Sequence, residues 1–89
     1  MRITLDISLY PLRDSYIPAI DAFIAHLQKR DGLEVLVNAL STQVQGESGI
    51  IFEALRAAVE STLDGEARAS VVVKILPGDI DLHAEYSAP

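Results

Sequence analysis

The amino-acid sequence predicts one α+β domain with the element order β-α-β-β-α-β. Apolar and polar residues alternate near both ends of the chain, which is typical of strands that bury one face. Two segments between them instead repeat apolar residues at the spacing of an amphipathic helix. With 89 residues, the chain has the length of a single domain.

The first strand is predicted at residues 3–9, where every second side chain is apolar. We expect Ile3, Leu5, Ile7 and Leu9 to face a core and Asp6, Ser8 and Tyr10 to face away from it. Because proline has no N–H to donate, strand pairing is expected to stop at Pro11.

The first helix is predicted at residues 16–29. Asp14 and Ser15 are typical capping residues, and Pro18 is tolerated in the first turn of a helix. The apolar residues follow the i, i+3, i+4, i+7 spacing of one buried helix face, and they are Ile20, Phe23, Ile24 and Leu27.

Two further strands are predicted at residues 33–40 and 41–45. The first is rich in Leu and Val, and the second is extended in character. No glycine marks the boundary between them. Two alternatives therefore stay open, namely a turn near residues 38–41 or one bent strand.

The second helix is predicted at residues 49–63, with Ser48 as its N-cap and Glu47 near its positive end. Asp64 and Gly65 are expected to end it. The fourth strand is predicted at residues 68–76, where apolar residues alternate again before Pro77 and Gly78.

Two right-handed crossovers in this order give a ferredoxin-like βαββαβ sandwich, a four-stranded antiparallel sheet with two helices on one face. We assign residues 1–78 to this domain and residues 79–89 to a C-terminal tail. The opposite sheet face, called the open face below, would mix polar and apolar side chains. Leu36, Leu40, Val72 and Leu76 would form an apolar patch there, which predicts a second sheet packing on it in a homo-oligomer.

Composition argues against several classes of function. The formal net charge is −6 and the basic residues are scattered, so a nucleic-acid-binding surface is not expected. No apolar run has the length of a membrane span, and a cytoplasmic location is the default expectation. The chain has no cysteine, and its two histidines, His26 and His83, lie far apart, so no metal or cofactor is expected. His26 is interpreted as a residue of the helix surface.

Several short motifs follow one another in the chain, namely Ile7-Ser8-Leu9-Tyr10-Pro11-Leu12, Ser41-Thr42, Gly46-Glu47 and Ile51-Phe52-Glu53-Ala54. In this order and spacing, the chain resembles the YkoF-type family, which binds thiamine or hydroxymethylpyrimidine, over residues 4–75. The resemblance implies a ferredoxin-like domain whose open face packs on another copy. It also implies a single-domain branch that forms homodimers or homotetramers, with the pyrimidine or thiamine site near the packed sheets.

An aminopyrimidine has an amine donor and ring-nitrogen acceptors, so its site needs a carboxylate or carbonyl beside hydroxyl or amide donors. The candidate ligand-binding residues are Asp6, Ser8, Tyr10, Asn38, Ser41, Thr42 and Gln43. Asp6 is the most informative, because a carboxylate within a packed sheet face must be paired, hydrogen-bonded or bound to a ligand. The alternative is a salt bridge from Asp6 to Lys74 or Arg2. Ser8 and Thr42 are otherwise ordinary strand residues, and Tyr10 otherwise packs at the strand end.

Three classes of function follow from the sequence. The favoured one is a binding protein for thiamine or its hydroxymethylpyrimidine moiety, and the second is a ligand-free assembly or regulatory subunit. An enzyme is the third and is not expected. Val44-Gln45-Gly46 resembles the acylphosphatase loop, but it precedes the second helix and is followed by Glu47 instead of a catalytic arginine.

Overall fold

A computed structural model of the chain describes residues 1–12, 17–63 and 68–84. Its elements are β1 (Arg2–Pro11), α1 (Ile17–Gln28), β2 (Glu34–Val37), β3 (Thr42–Glu47), α2 (Ser48–Thr62) and β4 (Ala69–Pro77). Their order confirms the predicted α+β, ferredoxin-like fold. The predicted capping residues Asp14 and Ser15, the predicted helix end at Asp64 and Gly65, and tail residues 85–89 lie outside the described ranges.

The four strands form one antiparallel sheet in the order β2-β3-β1-β4, which places β1 in its interior. Directly paired residues of neighbouring strands project from the same face of a sheet. One row of paired residues contains Val35, Val44, Leu5 and Ile75, and the next contains Leu36, Gln43, Asp6 and Lys74. Leu5 is fully buried, so the first row faces the helices and the second row lies on the open face.

The hydrophobic core lies between the sheet and the two helices, which also pack on each other. Its largest fully buried side chains are Phe23, Leu5, Ile7, Leu27, Ile51 and Val44. Burying a side chain of this kind completely contributes about 1.5–3 kcal/mol. Ala54 and Ala58 are the buried small residues of α2, and their size lets the helix lie close to its neighbours. All predicted helix-facing residues of β1 contribute to this core or pack against it.

The sequence predicted that strand pairing stops at Pro11, and this prediction is wrong. Pro11 lies opposite Ala69 of β4, and Leu12 N–H donates to the carbonyl of Arg68 at 3.0 Å. In an antiparallel ladder, hydrogen-bonded pairs alternate with pairs that exchange no hydrogen bond. Since the Leu12–Arg68 pair is hydrogen-bonded, the Pro11–Ala69 pair is not, and the missing proline N–H removes no bond to β4.

The N-terminus of α2 differs from the prediction by one residue. Ser48 is the first residue of the helix, and the N-cap is Glu47, whose side chain makes no capping hydrogen bond. The Glu47 carboxylate instead accepts a hydrogen bond from the Met1 amino group at 2.9 Å, and this bond holds the pKa of Glu47 below its ordinary value. Among the described residues, neither helix is long and apolar enough to span a membrane.

Candidate functional site

The open face carries a cluster of polar side chains centred on Asp6, which lies in the interior strand β1. Ser41 Oγ donates a hydrogen bond to Asp6 Oδ1 at 2.5 Å. Gln43 Nε2 lies 2.5 Å from Ser41 Oγ and 3.4 Å from Asp6 Oδ1, and it donates to both. Asn38 Nδ2 donates to Gln43 Oε1 at 3.3 Å. Asn38, Gln43 and Ser41 therefore donate hydrogen bonds in series, and the series ends at Asp6 Oδ1.

The turn between β2 and β3 positions this cluster. Asn38 N–H donates to the carbonyl of Ser41 at 3.0 Å, which closes a turn at residues 38–41. Asn38 Oδ1 accepts hydrogen bonds from the N–H groups of Leu40 and Ser41, each at 3.0 Å. Asparagine favours such turns because its side chain can bond the backbone two and three residues ahead. The structure thus selects the turn over the bent strand, and Asn38 serves both the turn and the site.

The second carboxylate oxygen of Asp6, Oδ2, accepts no hydrogen bond from the described part of the chain. Every buried side-chain nitrogen or oxygen in that part has a hydrogen-bond partner. Asp6 as a residue is only partly buried, and it lies on the open face. A carboxylate held through one oxygen and accessible through the other can accept a hydrogen bond from a ligand.

The alternative that Asp6 forms a salt bridge with Arg2 or Lys74 is wrong within the described ranges. Arg2 Nε pairs instead with Asp79 Oδ2 at 2.7 Å. Lys74 lies directly opposite Asp6 in the β1–β4 ladder, but the two form no ion pair. Hydrogen bonds from Ser41 and Gln43 take the place of the ion pair.

The predicted site residues do not all lie together. Thr42 was predicted as a ligand-binding residue beside Ser41 and Gln43, but it pairs with Ile7 and is buried on the helix side of the sheet. Ser8 and Tyr10 do lie on the open face, opposite Val72 and Ser70. They lie further along β1, away from the hydrogen-bonded cluster. The structure therefore brings together Asp6, Asn38, Ser41 and Gln43.

The cluster forms part of a depression of about 540 Å³ on the open face. Its polar lining comes from Thr4, Asp6, Asn38, Ser41, Gln43 and Lys74. On the open face, its apolar lining comes from Leu40, Leu76 and Ile80. Leu40 is 90% exposed and Ile80 is 47% exposed, so these walls offer apolar area to an incoming molecule.

A second depression, of about 380 Å³, lies at the C-terminal end of α1. It is lined by Ala22, Ala25, His26, Lys29 and Arg30, and His26 is exposed, as predicted for a residue of the helix surface. None of these five described residues carries a carboxylate that could accept a hydrogen bond from an amine. We therefore place the candidate site on the open face.

Residues 78–84, called the C-terminal strap below, cross one end of the open face. Gly78 turns the chain with a φ of 90°, and its carbonyl lies 2.9 Å from Thr4 Oγ1. Gln45 Oε1 accepts hydrogen bonds from Thr4 Oγ1 at 2.6 Å and from Ile80 N–H at 2.7 Å. His83 Nε2 reaches Glu34 Oε1 of β2 at 3.3 Å. The strap thus runs from β4 to the opposite edge of the sheet.

Thr4, Gln45 and Ile80 were missed as neighbours of the site. Thr4 and Gln45 are paired across β1 and β3 and are both buried, although they face away from the helices. The alternation that placed Asp6 on the open face also places Thr4 there, which was the available signal. No pattern in the sequence predicted the position of Ile80, because polar and apolar residues do not alternate regularly in the strap.

The chain has recognisable relatives. The family model described as thiamine-binding protein matches residues 5–77, which run from within β1 to the end of β4. The chain belongs to the thiamine-binding protein family. A search of curated protein sequences found no match.

Solved structures of similar proteins agree with this family assignment at the level of the fold. A hypothetical protein from Methanocaldococcus jannascii has 25% identity and a TM-score of 0.71, over 97% of this chain and 87% of that one. A putative thiamine biosynthesis/salvage protein from Thermotoga maritima has 19% identity and a TM-score of 0.77, over 92% and 91% of the two chains. A protein from Streptococcus pneumoniae has 28% identity and a TM-score of 0.66, over 90% of each chain.

Proposed function

We propose that this member of the thiamine-binding protein family binds thiamine or its hydroxymethylpyrimidine moiety in the depression on the open face. The observation that carries the proposal is the geometry of Asp6. Ser41 and Gln43 hold one of its oxygens, no described residue donates a hydrogen bond to Oδ2, and the residue lines the depression. The exocyclic amine of an aminopyrimidine can donate a hydrogen bond to Oδ2.

The rest of the lining complements a flat heterocycle. Asn38 Nδ2 donates one of its two hydrogens to Gln43 Oε1, which leaves the second for a ring nitrogen beside the carboxylate. Leu40, Leu76 and Ile80 offer apolar area for the ring faces. A few polar groups among apolar walls is the usual composition of a small-molecule site.

A second copy of the chain is part of the proposal. The depression is open to solvent, and its apolar rim contains Leu40, Leu76 and Ile80, each at least 45% exposed. Val72 continues this apolar surface along β4 and is 46% exposed. A neighbouring sheet packed on this face would cover the apolar area and close the site, as a homodimer or homotetramer.

Calorimetry of the purified protein with thiamine and with hydroxymethylpyrimidine tests the ligand. We expect binding by the parent protein, and Asp6→Asn should weaken it by about 10- to 100-fold, since a hydrogen bond to a charged group contributes about 1.5–3 kcal/mol. Asp21→Asn is the matched control, because Asp21 is an exposed residue of α1 on the other layer of the domain. No heat with either compound at protein concentrations that detect millimolar affinity would refute the proposal.

Light scattering tests the oligomer separately. A dimer or tetramer at micromolar concentration is expected, and Leu40→Lys should shift it towards monomer, because a charge would then have to be buried in the packed face. Phe52→Lys on the exposed side of α2 is the control substitution. A monomeric parent protein would refute the packed-sheet part of the proposal and leave the ligand test intact.

A further inference from the structure

Lys74 is the one cationic side chain in the described lining of the depression. It lies opposite Asp6 in the β1–β4 ladder, and its side chain is exposed. Within the described parts of the chain, Lys74 forms no salt bridge. Asp6, the carboxylate nearest to it in the ladder, is held by Ser41 instead. No described carboxylate therefore pairs with this ammonium group, which belongs to the lining of the same depression.

The distance between Asp6 and Lys74 indicates which chemical groups a bound molecule needs at its two ends. The Cβ atoms of directly opposed strand residues lie about 5 Å apart. The flexible four-carbon stem of lysine can carry its ammonium group further from the carboxylate, by about the width of an aromatic ring. A molecule with an amine at one end and an anionic group at the other would match Asp6 and Lys74 together. A ligand without the anionic group would leave Lys74 unused.

We propose that the site prefers a phosphate monoester, either of hydroxymethylpyrimidine or of thiamine, over the corresponding unphosphorylated compound, and that Lys74 pairs with the phosphate. This inference rests on the proposed function and names the ligand class more closely. Leu76 and Ile80 border the same depression and would reduce the access of water to the pair, which strengthens a charge-assisted hydrogen bond.

The overall negative charge of the chain opposes the binding of a phosphate. A chain with a formal net charge of −6 repels anions at long range, so any gain from a phosphate has to come from a local cation. Arg2 is the next cation along the sheet, but its guanidinium already pairs with Asp79. Lys74 is therefore the residue on which the preference depends.

The test is calorimetry with four compounds: hydroxymethylpyrimidine, its phosphate monoester, thiamine and thiamine monophosphate. Inorganic phosphate is titrated separately. For the parent protein, we expect each phosphorylated compound to bind about tenfold more tightly than its parent compound, a gain that decreases as salt is added. Lys74→Gln should remove the gain, Lys74→Arg should keep it, and Lys29→Gln on α1 should leave it unchanged.

The outcomes separate this inference from the proposed function. Equal or weaker binding of the phosphorylated compounds, with thiamine or hydroxymethylpyrimidine still bound, would overturn the role of Lys74 and leave the proposed function standing. A phosphate gain that persists in Lys74→Gln would overturn it as well. No binding of any of the four compounds would refute both. Circular dichroism of Lys74→Gln should match that of the parent protein, which excludes misfolding as the cause of a lost gain.

Discussion

Gln45 accepts a hydrogen bond from the backbone N–H of Ile80, and this contact fixes the C-terminal strap to the sheet. The same amide oxygen also accepts from the hydroxyl of Thr4. Gln45 is buried, so its oxygen would otherwise lose water without a replacement partner. One side chain thereby joins β3, β1 and the strap at the end of the depression.

Gln45→Ala should loosen the strap and lower the free energy of unfolding by about 1–3 kcal/mol, since it leaves the Ile80 N–H without its partner. Amide hydrogen exchange at Ile80 should become faster than in the parent protein. Gln28→Ala at the exposed end of α1 is the control, with a change of about 0.5 kcal/mol or less. Unchanged exchange at Ile80 would show that the strap is held by other contacts.

Ser41→Ala should weaken binding of thiamine or hydroxymethylpyrimidine by about 5- to 20-fold, because Asp6 Oδ1 loses its shortest hydrogen bond and the carboxylate is less firmly oriented. The measurement is calorimetry under the conditions used for Asp6→Asn. Ser70→Ala is the matched control, since Ser70 lies on the same face near the far end of β1, opposite Tyr10. Equal losses in the two variants would contradict a specific role for Ser41.

Gly46→Ala should destabilise the fold by about 1–3 kcal/mol, as expected for overpacking. A Cβ atom at this position would lie 2.9 Å from the carbonyl oxygen of Gly32 and 2.8 Å from Leu33 Cδ2. The backbone oxygen cannot move away as a flexible side chain would. Gly49→Ala, where a Cβ meets nothing within 4 Å, should be neutral or up to about 1 kcal/mol more stable, because alanine favours the helix. Chemical denaturation measures both, and the opposite order would be inconsistent with this packing.

The two phenylalanines provide a matched pair for the core. Phe23 is fully buried between α1 and the sheet, whereas Phe52 of α2 is 45% exposed. Phe23→Ala should lower the free energy of unfolding by about 3–5 kcal/mol, and Phe52→Ala by about 1 kcal/mol. Thermal unfolding of both variants checks the difference. A large loss for Phe52→Ala would instead indicate that this side chain is covered by another molecule in solution.

The sequence was sufficient to predict the open face, because strands alternate with a period of two. Asp6, Val72 and Leu76 were placed on that face from the apolar patterns of their own strands, and the ladder confirms these placements. The same rule also shows why Thr42 was misplaced. Ser41, Thr42 and Gln43 are consecutive, so Thr42 cannot share a face with its two neighbours.

The rest of the site depended on contacts between distant residues, which no local pattern encodes. The bond from Ser41 to Asp6 spans β3 and β1, and the strap reaches Gln45 only after the chain has turned at Gly78. A local signal can also place the start of a helix one residue away from its true position. Ser48 was predicted as the N-cap of α2, but it is the first residue of the helix, and Glu47 has the extended backbone of the cap.

The interior position of β1 also has a consequence for synthesis on the ribosome. β1 emerges before the other three strands of the sheet, yet its neighbour β3 follows α1 and its neighbour β4 follows α2. Contacts between residues so far apart in sequence form slowly, because the intervening chain must first be ordered. The apolar side of β1, with Leu5 and Ile7, therefore remains without its native cover until nearly the whole domain has been translated.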